Sequence, residues 1–322
     1  MPPLAERIIS GDRRALARAI TLIESELPEH REESGKLLAA ILPHTKNAIR
    51  LGITGIPGVG KSTFIESFGQ HAIDQGHKVA VLAIDPSSPK SGGSILGDKT
   101  RMEILSRHKN AFIRPSPSSG MLGGIARKTY DTMLLCEAAG FDVVIIETVG
   151  VGQSETTASD LVDMFLVLLA PGGGDDLQGI KRGIMELADM LVINKADGDL
   201  AAAAERARHD HAAAVSIMRP NSEYWATPVM TCSAIKGQGI TEIWDKTEQF
   251  RSTVTNNGIL ETRRSLQARS LMKSEVVETV LHEFRSNPEL SHIWQEIEEE
   301  VANGERSPSD GACQLLEKLR KI

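Results

Sequence analysis

Gly55-Ile-Pro-Gly-Val-Gly-Lys-Ser62 decides the fold. The stretch fits G-x-x-x-x-G-K-S, a cradle for a phosphate chain. An apolar run, Ile49–Ile53, precedes it, and an amphipathic stretch from Ser62 to Gln75 follows. Strand, glycine loop and helix in that order make the motif a site rather than a glycine-rich turn. Glycines let backbone N–H groups point inward, and the helix N-terminus adds partial positive charge. Gly55, Ile56, Pro57, Gly58, Val59, Gly60, Lys61, Ser62 and Thr63 are the candidate phosphate contacts. Lys61 is placed to reach the β- and γ-phosphates, and the Ser62 hydroxyl to ligate Mg²⁺.

Apolar strand candidates recur outward from the cradle: Ile49–Ile53, Val79–Ile84, Val143–Ile146, Met164–Leu169, Met190–Ile193 and Val229–Cys232. They are nearly continuous apolar runs, as in a parallel sheet covered on both faces. Helix-length intervals separate most of them. The fold class is therefore α/β, a doubly wound, mostly parallel sheet with the cradle at the carboxyl end of its first strand. Leu16, Ala19, Ile20 and Ile23 recur at helical spacing in the first 45 residues, with Asp12 as N-cap. Leu37, Leu38, Ile41 and Leu42 form a second apolar set. The interval Pro86–Arg114 reads as loop, rich in Ser, Gly and Pro at its start. Beyond Gly239 the pattern is helical again. Val277, Val280, Leu281 and Phe284 form a stripe whose partner is either the domain itself or a second subunit. The expected organisation is an N-terminal helical extension (1–45), a nucleotide domain (46–255) and a C-terminal helical arm (256–322).

The chain of 322 residues is 41% hydrophobic and 25% charged, an ordinary globular composition. Its 36 Lys and Arg against 43 Asp and Glu give a net charge of -7. That is no electrostatic footprint for nucleic acid. No apolar run approaches the ~20 residues that span a bilayer, and the N-terminus lacks the pattern of a signal peptide. Cys136, Cys232 and Cys313 form no metal or disulfide pattern, which fits a cytoplasmic protein.

Asn194-Lys-Ala-Asp197 follows the strand Met190–Ile193 directly. The Asp197 carboxylate can accept from guanine N1–H and the N2 amino group. Adenine offers neither and would leave that group unpaired, a loss of about 1–3 kcal/mol or more. Asn194 can tie this loop to the cradle, and the Lys195 stem can lie over the base. Ser233, Ala234 and Ile235 would complete the base pocket through backbone groups. Asp85 and Glu147 end two strands at the edge where Mg²⁺ would sit. Gly150 would let a backbone N–H approach a γ-phosphate. Gln153 is a candidate water-orienting residue, and Lys181 and Arg182 are candidate sources of late-supplied charge. His209-Asp-His211 reads as a solvated helix face rather than a metal site.

Two long segments are more specific than the cradle. Asp85-Pro-Ser-Ser-Pro-Lys-Ser-Gly-Gly-Ser-Ile-Leu-Gly-Asp-Lys-Thr-Arg-Met102 and Glu147-Thr-Val-Gly-Val-Gly-Gln-Ser154 closely resemble the methylmalonyl-CoA mutase-associated GTPases (the MeaB/ArgK type). The resemblance runs over nearly the whole chain, including Pro171-Gly-Gly-Gly-Asp-Asp-Leu-Gln-Gly-Ile-Lys181. It implies a metallochaperone-like GTPase that turns over GTP to GDP with Mg²⁺. The implied partner is an adenosylcobalamin-dependent acyl-CoA mutase, whose cofactor loading the GTPase gates. It further implies a homodimer joined through the C-terminal arm. By motif matching, Asp85, Asp98 and Glu147 look like Mg²⁺ and switch carboxylates, and Gly172–Lys181 like an extra switch. Alternatives are a kinase of a periplasmic amino-acid-binding (LAO/AO) transport protein, a metal-insertion GTPase and a pure binding module. The guanine box argues against the kinase, and the lack of a His- or Cys-rich tract against metal insertion.

Overall fold

The strand that feeds the cradle is buried along its whole length. This is β1, Ile49–Gly55, and its apolar run leaves no polar face for solvent. The computed structural model describes residues 2–25, 27–45, 47–85, 102–117, 122–148, 153–172, 182–218 and 222–319. Six further strands join β1: β2 (Val79–Asp85), β3 (Ala111–Pro117), β4 (Val143–Thr148), β5 (Met164–Leu169), β6 (Met190–Ile193) and β7 (Val229–Thr231). Their order is β3-β2-β4-β1-β5-β6-β7, and every pairing is parallel. β1 lies between β4 and β5, where the strand order changes direction. In such sheets ligands bind outside the carboxyl ends of the strands at that point.

Among the described residues, ten helices precede or follow the strands before the chain turns wholly helical. They are α1 (Pro3–Ile9), α2 (Arg13–Glu24), α3 (Pro28–Ile41), α4 (Lys61–Asp74), α5 (Glu103–Arg107), α6 (Leu122–Ala138), α7 (Gln153–Ser159), α8 (Arg182–Leu187), α9 (Ala201–Ile217) and α10 (Ile240–Asn256). Asp12 caps α2 as its position predicts, its carboxylate accepting from the N–H groups of Arg14 and Ala15. Leu16, Ala19, Ile20 and Ile23 are all buried. α3 stops at Ile41, and a single 3₁₀ turn, Leu42–His44, carries Leu42 out to solvent because Pro43 cannot continue the helix.

β3 departs from the sequence reading, which took Pro86–Arg114 as loop. Its run, Ala-Phe-Ile-Arg-Pro-Ser-Pro, contains two prolines that lack a ladder donor. That composition is tolerated at a sheet edge, and β3 is the edge strand.

Three helices complete the chain: α11 (Ile259–Ser286), α12 (Pro288–Ala302) and α13 (Pro308–Leu319). Chain packing divides into two compact units, Met1–Gln267 and Ala268–Ile322. In the second, Phe284 is buried with its ring 5.6 Å from Trp294. Asn287 caps α12 by accepting from the N–H groups of Glu289 and Leu290, and Pro288 occupies the first turn. Val277, expected on the apolar stripe, is exposed.

The amino edge of the sheet is an ionic lattice within the first unit. Asp163 accepts from Arg50 N–H at 2.9 Å and from the Arg264 guanidinium at 2.8 and 2.6 Å. Asp189 accepts from Phe165 N–H at 2.9 Å and lies 3.3 Å from Arg263. Arg50 Nε donates to Glu137 Oε1 at 2.7 Å, with the two side chains only 3% and 2% exposed. Burial pushes the Glu137 carboxyl upward, and the adjacent guanidinium opposes that shift. Removing one partner of such a pair strands a buried charge. Glu137→Ala is therefore expected to destabilise the protein by ~3–5 kcal/mol. Glu137→Leu combined with Arg50→Met should recover most of that loss. Urea midpoints followed by far-UV circular dichroism check it; equal losses in the single and double variants would contradict the assignment.

Candidate functional site

The cradle begins where β1 meets β5. A Cβ on Gly55 would fall 2.5 Å from Leu168 O, so no side chain fits there. The loop then turns through Pro57 and Gly58, and buried Val59 anchors it against the core. Gly60 has φ +96° and precedes the first residue of α4. No side chain caps that helix, so its first N–H groups are left for a ligand. Lys61 Nζ donates to Gly55 O at 2.6 Å and to Ile56 O at 3.3 Å, which lays the ammonium across the mouth of the loop.

Ser62 Oγ donates to Glu147 Oε1 at 3.2 Å. Glu147 is buried near the end of β4, next in register to Ile53 of β1. A hydroxyl and a carboxylate side by side are hard oxygen donors of the kind Mg²⁺ takes, so the residues fit that ion. Thr148 Oγ1 donates to Thr54 Oγ1 at 2.8 Å and stitches the two strand ends together. β2 places Asp85 on the same edge, since Ile84 pairs with Thr148. The Asp85 side chain lies outside what the structure describes, as do those of Gln153 and Arg182, which open α7 and α8. Asp98, Gly150 and Lys181 fall outside the described residues altogether.

The base box stands across the cradle. Asn194 Nδ2 donates to Val59 O at 2.9 Å, while its Oδ1 accepts from Ala234 N–H at 3.1 Å and Cys232 Sγ at 3.4 Å. Burial pushes the Cys232 thiol up to about 12, so it keeps the proton it donates. Lys195 has φ +62°, the one non-glycine residue with positive φ among the described residues. That turn lets Lys195 Nζ donate to Gly58 O at 2.7 Å. Asp197 Oδ1 accepts from Ser233 Oγ at 2.8 Å, and Asp197 Oδ2 lies 3.4 Å from Lys236 Nζ. The Ser233 hydroxyl first, and Lys236 with it, hold the Asp197 carboxyl below the usual carboxylate range. Ala234 is buried, whereas Ile235 is 80% exposed.

Three polar residues at this end escape sequence reasoning. Ser67 Oγ donates to Ala234 O at 2.6 Å, tying α4 to the base loop. The Glu66 carboxylate accepts from the N–H groups of Ile104 and Leu105, tying α4 to α5. Lys236 lies one residue beyond the run read as the base loop. No motif marks the first two; only their place on α4, one turn past Ser62, could have pointed to them. The His209–His211 reading needs correction: His209 is exposed, but His211 is only 7% exposed. Burial lowers its pKa and keeps the ring neutral. Among the described residues, no group of three or more His, Cys, Asp or Glu side chains could hold a metal ion.

The family described as "Methylmalonyl Co-A mutase-associated GTPase MeaB" matches residues 16–289. A "Putative GTPase" of Caulobacter vibrioides is 54% identical over 97% of this chain and 96% of its own. The "Methylmalonic aciduria type A homolog, mitochondrial" of Mus musculus is 46% identical over 97% of this chain and 78% of its own. A solved structure described as a LAO/AO transport system kinase superposes with TM-score 0.78 at 41% identity, covering 98% of this chain and 96% of that one.

Gly60 gives the sharpest local test. A Cβ there would sit 2.7 Å from Asn194 Nδ2, on a backbone that L side chains rarely adopt. Gly60→Ala costs about 1–3 kcal/mol of backbone strain and pushes Asn194 off Val59. Affinity for a fluorescent guanine nucleotide is expected to fall at least about tenfold with the fold retained.

Proposed function

The chain belongs to the methylmalonyl-CoA mutase-associated GTPase (MeaB) family and is a GTPase; from that premise we propose that it gates an adenosylcobalamin-dependent acyl-CoA mutase, most directly methylmalonyl-CoA mutase. GTP binding and hydrolysis are coupled to cofactor loading and to protection of the mutase. The observation that carries the reading is the family match across residues 16–289, which spans the cradle, the base box and the segments between them.

The chemistry assigned to each residue follows from phosphoryl transfer to water, which needs positioning and charge neutralisation more than covalent chemistry. The N–H groups at the start of α4 and Lys61 Nζ hold the phosphate chain. Ser62 and Glu147, with Asp85 and Asp98, would hold Mg²⁺; when bound, the ion neutralises charge on the β- and γ-phosphate oxygens. Asn194 fixes the cradle against the base loop. Lys195 flanks the base, Asp197 accepts from its N1–H and N2 amino group, and Ser233, Ala234 and Ile235 close the pocket. The Gly150 N–H meets the γ-phosphate, and Gln153 orients the attacking water. Residues 256–322 serve as the arm of a homodimer, to which exposed Met272, Val276 and Val277 offer apolar surface.

The solved structure described as a transport-system kinase raises a second reading, phosphoryl transfer to a periplasmic binding protein. A base box built around a carboxylate disfavours ATP as donor, so relative turnover of ATP and GTP separates the two.

Lys181 or Arg182 supplies positive charge to the transition state once the mutase docks. GTP turnover with and without the mutase tests the proposal. In one of Lys181→Ala and Arg182→Ala, basal hydrolysis should persist while mutase stimulation falls, by up to ~10³-fold for a contribution of the arginine-finger kind. Stimulation unchanged in both would remove the assignment, and no stimulation of the wild type would remove the mutase.

A further inference from the structure

An ionised carboxylate offers about four lone-pair directions, two on each oxygen. At Asp197 the protein occupies one on each side. Ser233 Oγ donates to Oδ1 at 2.8 Å, and Lys236 Nζ stands 3.4 Å from Oδ2. One direction then remains on each oxygen, matching the two N–H donors along the N1–N2 edge of guanine. Hypoxanthine presents one such donor and adenine none. Lys195, the other cation of the box, is turned onto Gly58 O, so it does not fill this place.

The backbone that carries Lys236 is held from several sides. It closes the 3₁₀ turn Ala234–Lys236, with Lys236 N–H on Ser233 O at 3.1 Å. Ser233 and Gln238 exchange backbone hydrogen bonds at 3.0 and 3.2 Å across the turn. Asn194 and Ser67 hold Ala234 by its N–H and its carbonyl. The ammonium therefore projects from a fixed base, although the side chain itself is 51% exposed.

We propose that Lys236 is a positioning residue for base selection: its ammonium holds the Asp197 carboxylate with both oxygens toward the guanine edge. The inference rests on the reading of Asp197 as the base acceptor. Guanine engages both oxygens and hypoxanthine one, so carboxylate orientation matters more for guanine. A nearby cation also favours the charged form of a carboxylate. The lowered pKa of Asp197, from Ser233 first and then Lys236, agrees with this arrangement.

The test measures GDP and IDP affinity, by competition against a fluorescent nucleotide, at neutral pH and at low and high salt. Lys236→Met removes the charge and keeps the stem; Lys236→Arg restores a cation. In the Met variant GDP should bind about 3–10-fold more weakly at low salt, with a smaller loss for IDP and a smaller effect at high salt. Arg should restore the GDP affinity and its salt dependence. A Met variant with the wild-type GDP:IDP ratio would overturn the role of Lys236. Asp197→Ala separates the two failures: if it keeps the preference for GDP over IDP, the base reading of Asp197 falls, and Lys236 with it.

Discussion

The amide of Asn194 holds the nucleotide end of this molecule together. It donates to Val59 in the cradle and accepts from Ala234 after β7, partners 135 and 40 residues away in sequence. Ser67 closes the circuit by donating from α4 to the carbonyl of the same Ala234. Cradle, base box and α4 thus form one hydrogen-bonded ring, whose members support each other's geometry. Gly60 has no room for a side chain because the amide occupies the place. Burial keeps Cys232 a thiol, and its proton converges with the Ala234 N–H on the one amide oxygen.

The two edges of the sheet are built on opposite terms. At the amino edge, Asp163, Asp189 and Glu137 each meet an arginine, and the charges are matched within the protein. At the carboxyl edge, α4 starts without a side-chain cap, and a hydroxyl sits beside a buried carboxylate. Groups arranged in that way are completed by a ligand carrying phosphates and a cation. A lattice of matched buried charges resists change, so binding at the carboxyl edge works against a stiff frame.

Much of this was legible in the sequence because it follows from local chemistry. All six expected strands start where their apolar runs start and end within two residues of the expected place, and Met164–Leu169 and Met190–Ile193 agree at both ends. Asp12 caps α2 because a short acceptor before an amphipathic run has few other uses. What failed depends on tertiary context. β3 carries two prolines and becomes a strand only as the sheet edge. His211 is polar and sits among charged neighbours, yet it is buried on α9, which packs beside β7. Lys236 is an ordinary surface lysine in sequence; only the fold of the turn brings it to Asp197. Glu66 and Ser67 gain partners 38 and 167 residues away, separations that no local pattern encodes.

Strand order also divides the labour of the site. β6 and β7, on one side of β1, lead into Asn194, Asp197 and Ser233, the groups proposed to read a base. β4 and β5 flank β1 directly, and β2 lies next to β4. Asp85, Thr148 and Leu169 end those three strands, and the family match over residues 16–289 spans the segments that follow them. Their points of departure therefore surround the place where a γ-phosphate would lie, while the base-reading side is locked by Asn194. A sheet built so can keep its choice of nucleotide constant while whatever follows Asp85, Thr148 and Leu169 answers to the phosphates. The cradle must then be rigid, because a grip that moved with the phosphate would leave those segments no fixed reference.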